Sequence, residues 1–210
     1  MTMADAAKIP TVPHALINLT DQTAYITKRI DQVHETPELQ RKAMEDFCQL
    51  SERLTEDKYK GSYEQCIKII RRYSSRPGID LAEFFWRILF CFVTGNSDMH
   101  LKNFSLIETA PQSRQFMLSP AYDLLPVNCV MPADTEQTAL TLNGKKASLK
   151  KSDFLTLADS AGLSTTTAQK LCAQMKTLLP QFHDLCDQAE LSAPLRERLH
   201  MMLETRGSTL

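Results

Sequence analysis

Apolar residues recur at helical spacing in the first half of the chain. Residues 39–54 carry apolar side chains three or four positions apart, which predicts a helix. Ser62, three residues before a glutamine, forms a capping-box pattern that predicts the start of a second helix. Asp80, three residues before a glutamate, predicts the start of a third, in which residues 81–93 leave little polar face. This third helix is expected to form the buried centre of the domain.

Alternating and turn patterns predict several short hairpins. Residues 14–19 and 24–30 are expected to pair as strands, and residues 104–107 and 115–118 are expected to form a second hairpin. Asn143-Gly144 predicts a third hairpin within residues 140–149. Helical segments are predicted over residues 1–9, 152–161, from 164 onward, 181–189 and 193–205. The predicted fold class is therefore α+β, mainly α.

Composition narrows the class of protein. The 210 residues are 43% hydrophobic and 23% charged, as in ordinary globular domains, and the net charge is −1. This charge gives no global attraction to nucleic acid or to an anionic membrane. Local basic clusters at 68–76 and 145–151 are solvated faces or contacts for an acidic partner. The N-terminus has no signal-peptide pattern, so the expected location is the cytoplasm, with six reduced cysteines at spacings that do not suit zinc.

Three polar residues suggest phosphoryl-transfer chemistry. Asp98 follows the apolar helix, Asn103 comes five positions later, and Asp123 follows the second predicted hairpin. Kinase-type enzymes use one carboxylate to orient the attacking hydroxyl, and an amide and a second carboxylate to hold Mg²⁺. Hairpin geometry would bring the loops of Asn103 and Asp123 together. Taken singly, each residue has a plainer explanation, as a turn residue, a cap or an Asx turn.

Two residues near this set, one histidine and one lysine, each have two alternative roles. His100 is either a structural residue that bonds its own loop or a participant in catalysis, and the structural role is the more common one for such a histidine. Lys102 either meets a phosphate or substrate, or is solvated.

The same residues carry a family resemblance. The segments are GNSDMHLKNFSLI at 95–107 and LSPAYDLLPV at 118–127. They resemble the signature of HipA-like serine/threonine kinases, the toxin kinases of bacterial toxin–antitoxin modules. Similar resemblances at 3–19, 25–31, 44–65 and 142–145 extend the match over nearly the whole chain.

The resemblance implies a kinase-like C-terminal lobe. It implies that residues 1–35 form a hinge and a residual N-lobe, and that residues 36–210 form the C-terminal lobe. It implies ATP and Mg²⁺ as cofactors, with Asp98 as the catalytic residue and Asn103 and Asp123 as metal ligands. Adenine would face the hinge backbone. The residues implied to bind the nucleotide there are Lys28, Arg29, Ile30 and Asp31, the last near the ribose; Ile30 stands where the family has an aromatic residue.

The chain departs from the family pattern in one respect. Before Asp98 it has no Gly-rich segment to bind phosphates, and no early lysine is suited to contact ATP. Those elements would lie on a separate polypeptide, belong to a longer form of the protein, or be lost. Two functions remain open: an ATP-dependent serine/threonine protein kinase or its catalytic half, and a non-catalytic pseudokinase module. Implied partners are a protein substrate such as an aminoacyl-tRNA synthetase, and an antitoxin-like protein or separate N-lobe subunit. No direct contact with nucleic acid or membrane is expected.

Overall fold

The computed structural model describes residues 1–33 and 38–210, and helices predominate in them. The helices are α1 (Thr2–Ala6), α2 (Phe47–Leu50), α3 (Tyr63–Tyr73), α4 (Pro77–Val93), α5 (Val127–Val130), α6 (Lys151–Ser160), α7 (Thr165–Thr177), α8 (Leu179–Gln188) and α9 (Ala193–Thr209). The strands are β1 (His14–Asn18), β2 (Thr23–Thr27), β3 (Gln32–Val33), β4 (Gln40–Arg41), β5 (Met44–Asp46), β6 (Ser105–Glu108) and β7 (Phe116–Leu118). They form antiparallel sheets in the orders β1-β2, β3-β4 and β5-β6-β7. The α+β, mainly α class is confirmed. The expected boundary between residues 35 and 36 lies outside the described residues.

Helix α4 forms the centre of the core, as its apolar sequence predicts. Phe84, Phe85 and Phe92 are fully buried, and α3, α6, α7 and α9 pack around the helix. The predicted start at Asp80 is wrong, because Pro77 occupies the first turn, where its lack of an N–H costs nothing. Asp80 is instead fully buried and accepts hydrogen bonds from the Ser74 hydroxyl at 2.6 Å and the Leu118 amide at 2.8 Å.

The long helix predicted over residues 39–54 is also wrong. Strand β5 pairs with β6 in this segment, and only the short α2 follows, where Asp46 forms a capping box with Gln49. Leu39 and Leu54 at the ends of the segment are 48% and 68% exposed, so they do not extend an apolar face. The cross-strand hydrogen bonds of β5 override the local helical spacing.

The other local predictions are largely confirmed. Ser62 caps α3 by accepting a hydrogen bond from the Gln65 amide, and Ser164 caps α7 in the same way. The hairpin of β6 and β7 forms as predicted. At 140–149 the Asn143-Gly144 turn forms with positive φ at both residues, but it closes a single bridge between Leu142 and Lys145 instead of a strand pair.

The N-terminal hairpin of β1 and β2 is exposed on both faces. Leu16 and Tyr25, paired across the hairpin, are 71% and 52% exposed, and Ile17 and Ile26 are exposed as well. The predicted strand over residues 24–30 is too long, because β2 ends at Thr27. Residues 28–30 run as irregular backbone, held by a hydrogen bond from the Lys28 amide to the Pro13 carbonyl at 2.9 Å.

Among the described residues, no helix is both long enough and apolar enough to cross a membrane.

Candidate active site

Asp98 lies in a tight loop that begins where α4 ends. Gly95 adopts a φ of 74°, a left-handed conformation that favours glycine and turns the chain away from the helix. The Asn96 side chain accepts a hydrogen bond from the Asp98 amide at 3.2 Å, and the Ser97 hydroxyl donates to Asp134 at 2.6 Å. These contacts fix the loop and leave the Asp98 side chain half-buried at its tip.

Asn103 folds back onto the same loop. Its side-chain amide donates a hydrogen bond to the backbone carbonyl of Asp98 at 2.9 Å, which leaves the amide oxygen for another ligand. The next residue, Phe104, is fully buried, and its ring packs against Phe47 and Phe84 at centroid distances of 5.7 and 5.1 Å. This aromatic anchor holds Asn103 at a fixed point of the fold.

Tyr122 links the loop of Asp123 to the loop of Asn103. Its hydroxyl donates to the Lys102 carbonyl at 3.1 Å and shares a 2.5 Å hydrogen bond with the Ser105 hydroxyl. The residues immediately before Asn103 and Asp123 are therefore bonded to each other. Asp123 is exposed, with a φ of 56°, a left-handed conformation that aspartate tolerates better than most residues.

His100 lies within the electrostatic influence of both carboxylates. Burial lowers the pKa of its imidazole, and the negative charges of Asp98 and Asp123 oppose this shift. Its Nδ1 atom is buried and has no hydrogen-bond partner among residues 1–33 and 38–210. The charges of both Asp98 and Asp123 thus act on this imidazole.

Lys102 is partly exposed and forms an ion pair. Its ammonium group donates to the Asp46 carboxylate at 2.7 Å, and this hydrogen bond raises the pKa of Lys102. Both side chains line a cleft of about 430 Å³. Residues 28–31 form part of the cleft wall, and Tyr122 contributes to it too. The predicted nucleotide-binding residues therefore share a cleft with the chain neighbours of Asn103 and Asp123.

Asp31 is engaged in an ion pair at the rim of this cleft. Arg29 donates from Nε and Nη2 to the two carboxylate oxygens at 2.9 and 2.6 Å. The hydrogen bond from Arg29 lowers the pKa of Asp31. A ribose contact by Asp31 would therefore share the carboxylate with the exposed Arg29 side chain.

Three residues near the site have contacts that no local spacing in the sequence predicts. Tyr59 donates a hydrogen bond to Asp98, Asp46 holds Lys102, and Asp134 holds Ser97. Their partners are 39, 56 and 37 positions away along the chain, so no local spacing pattern could pair them.

The donor set suits a magnesium ion. An amide oxygen from Asn103 and a carboxylate from Asp123 are hard oxygen ligands, which Mg²⁺ prefers. The Asn103 amide nitrogen is already used by the Asp98 carbonyl, so its oxygen is the end of the side chain that remains available. The residues therefore fit the ion that the sequence resemblance implies.

Comparison with known proteins places the chain in a family. Residues 1–182 match the family model described as HipA-like C-terminal domain. A putative kinase, Y4dM, from Sinorhizobium fredii is 30% identical over 213 residues, which cover 100% of this chain and 49% of that protein. A second putative kinase from the same organism, Y4mE, is 28% identical over 78% of this chain and 40% of that protein. The chain thus spans about half the length of the curated relatives it matches.

Solved structures share the fold at low sequence identity. HipA from the Shewanella oneidensis MR-1 toxin–antitoxin system, in complex with HipB and operator DNA, has a TM-score of 0.79 at 16% identity. That match covers 100% of this chain and 53% of HipA. The Helicobacter pylori proinflammatory kinase CtkA has a TM-score of 0.66 at 17% identity, over 99% of this chain and 76% of CtkA. The kinase-like fold expected from the sequence is confirmed.

Proposed function

Because this chain belongs to the HipA-like C-terminal domain family, we propose that it is the catalytic C-terminal half of an ATP-dependent serine/threonine protein kinase. The observation that carries the proposal is the pair of hydrogen bonds around Asp98, Asn103 and Tyr122. One joins Asn103 to the Asp98 backbone, and the other joins the loops of Asn103 and Asp123. These two bonds connect the segments that carry Asp98, Asn103 and Asp123, which supports the proposal that the three side chains act together.

Each residue then has a distinct role. Asp98 would orient the acceptor hydroxyl and accept its proton as the hydroxyl oxygen bonds to the γ-phosphorus and the bond from that phosphorus to the departing ADP breaks. Asn103 and Asp123 would hold Mg²⁺, which supplies charge neutralisation at the phosphates when bound. The backbone of residues 28–30 would face adenine, and Asp31 would lie near the ribose. Lys102, paired with Asp46 in the same cleft, would place an ammonium group on the nucleotide side of the site.

The remaining half of the phosphate clamp is proposed to come from outside residues 1–210. The first glycine of the chain is Gly61, so no Gly-rich loop precedes the hinge. The relatives are about twice as long, which leaves room for an N-terminal lobe on the same polypeptide or on a second one. We divide the chain accordingly into a hinge with residual N-lobe, residues 1–35, and a C-terminal lobe, residues 36–210.

The exposed hairpin of β1 and β2 supports the proposal that an N-terminal lobe packs against this chain. Strands β1 and β2 pair only with each other among the described residues, and apolar side chains are exposed on both faces. Free edges and exposed apolar residues are typical of a sheet that is completed by another segment. The N-lobe is proposed to complete this sheet and to cover the cleft that residues 28–31 line.

The partners follow from the family by analogy. The Shewanella oneidensis HipA structure contains HipB and operator DNA. We propose an antitoxin-like protein as a partner of this chain, and a protein substrate such as an aminoacyl-tRNA synthetase. Direct contact of this chain with DNA is not part of the proposal.

Reconstituted phosphate transfer tests the proposal. The chain is combined with the N-terminal half supplied from its own gene or from an adjacent one, and transfer from radiolabelled ATP to protein is measured with and without Mg²⁺. Mg²⁺-dependent transfer that is lost in Asp98→Asn is expected. Asp159→Asn, an exposed aspartate on α6, is the matched control and should be active.

Two outcomes would contradict the catalytic assignment. One is the absence of transfer by a complex that binds ATP. The other is growth arrest that is as strong in Asp98→Asn as in wild type. That second result would favour a pseudokinase module that acts by binding alone.

A further inference from the structure

We propose that Tyr59 is a positioning residue for Asp98, holding one carboxylate oxygen so that the other faces the acceptor hydroxyl. The Tyr59 hydroxyl donates a hydrogen bond to Asp98 Oδ1 at 2.7 Å. Within the part of the chain that the structure describes, it is the one hydrogen-bond donor to that carboxylate. The inference rests on the proposed kinase function and adds to it a residue outside the Asp–Asn–Asp set.

Several contacts fix Tyr59 against the loop of Asp98. Its ring meets the edge of His100 at a centroid distance of 4.9 Å and an interplanar angle of 81°. The Leu101 amide donates to the Lys58 carbonyl at 3.1 Å, which ties the backbone next to Tyr59 to the same loop. On the other side, the Thr141 amide donates to the Gly61 carbonyl at 3.2 Å. The segment is therefore attached at both ends, and the phenol is not a freely moving surface side chain.

The phenol remains a donor over the working pH range. Burial raises the pKa of Tyr59 to about 12, and the hydrogen bond to Asp98 and the charge of Asp98 add to the shift. A protonated phenol cannot accept a proton from the substrate, but it can hold a carboxylate in place. Oδ1 of Asp98 is then held by the Tyr59 hydroxyl, and Oδ2 remains to accept the proton of the substrate hydroxyl.

A competing explanation uses the same hydrogen bond. The phenol could occupy the position of an acceptor hydroxyl and block the site as a pseudosubstrate. The attachment of residues 58–61 at both ends favours positioning, because a blocking side chain must leave when substrate binds. The two explanations predict opposite changes in rate when the hydroxyl is removed.

Steady-state kinetics of Tyr59→Phe in the complete kinase separate them. Positioning predicts that kcat falls about tenfold, the loss of roughly one hydrogen bond to a charged group, while KM for ATP is unchanged. Tyr73→Phe is the matched control, since Tyr73 is also a partly exposed tyrosine and has no described hydrogen bond from its hydroxyl. A faster rate in Tyr59→Phe, or a change confined to KM, would overturn the proposal.

A second measurement does not depend on catalysis. Urea unfolding of the chain alone is measured for Tyr59→Phe, Asp98→Ala and the double variant. If the hydroxyl acts on Asp98, the double variant loses less stability than the sum of the two single losses. Strict additivity would overturn the proposal. If the wild-type complex transfers no phosphate, the proposed function fails and the role of Tyr59 with it, whereas non-additivity would still establish the contact.

Discussion

Removing one hydroxyl, with Tyr122→Phe, should loosen the link between the two loops of the site. The hydroxyl bonds the Lys102 carbonyl and the Ser105 hydroxyl, and Ser105 is 1% exposed. Each hydrogen bond contributes about 0.5–1.5 kcal/mol net, and an acceptor or donor left unpaired in a buried site costs more. The expected loss in the free energy of unfolding is therefore about 2 kcal/mol, roughly a 30-fold change in the unfolding equilibrium.

Urea denaturation followed by circular dichroism measures this loss. The m-value should be unchanged, because the phenyl ring still fills the same space. In the complete kinase, Mg²⁺-dependent ATP binding should weaken as well, since the loops of Asn103 and Asp123 are no longer joined. Tyr73→Phe, which removes an exposed hydroxyl, should change neither quantity. A Tyr122→Phe variant within about 0.5 kcal/mol of wild type would show that this hydrogen bond does not hold the site together.

Three further changes test other contacts. In the complete kinase, Asp98→Asn should abolish phosphate transfer and leave ATP binding, measured by calorimetry, unchanged. Asp123→Asn should weaken both transfer and ATP binding, and equal effects of the two variants would refute separate roles. Asp80→Ala should lower the free energy of unfolding by about 3 kcal/mol in urea, because it leaves the Leu118 amide unpaired in the core, and a loss below about 1 kcal/mol would contradict this. Burial alone would raise the pKa of Asp153, but hydrogen bonds from lysine and asparagine side chains lower it. Its contribution to stability is thus full above the unfolded pKa of about 4 and is lost as pH falls through the lower folded value. Asp153→Asn should reduce that acid-induced loss in urea titrations, and an unchanged pH profile would contradict the assignment.

The sequence predicted those elements whose cause is local. Helix α4 follows from a continuous apolar run, and the starts of α3 and α7 follow from serine caps that accept hydrogen bonds from nearby amides. The hairpin of β6 and β7 follows from two short apolar segments on either side of a turn. The Asp98, Asn103 and Asp123 set could be proposed for the same reason, because Asp98 and Asp123 follow a predicted helix and hairpin and Asn103 precedes a predicted strand. Their roles as catalytic residue and metal ligands stay predictions.

The predictions of secondary structure were wrong where contacts between distant residues outweigh the local spacing of apolar residues. Residues 44–46 have apolar neighbours at helical intervals, yet they pair with a strand about 60 positions away. Asp80 has the sequence context of a cap, but a buried amide and a hydroxyl from other elements use its carboxylate inside the helix. The contact of Tyr59 with Asp98 spans 39 positions and leaves no periodic signal. Such pairings depend on the packed fold and could not be read from spacing.

The hydrophobic core and the N-terminal hairpin of β1 and β2 are largely independent. The core cluster takes residues from α1 and from α2 onward, and among the described residues it includes none between Ile9 and Phe47. The hairpin therefore adds little apolar burial to the fold, even though residues 28–31 line the proposed nucleotide cleft. A partner that covers the hairpin would act on the adenine side of the site without being needed for the core to fold. In this arrangement, stability belongs to the helical lobe, while the proposed binding of ATP would depend on what completes the sheet.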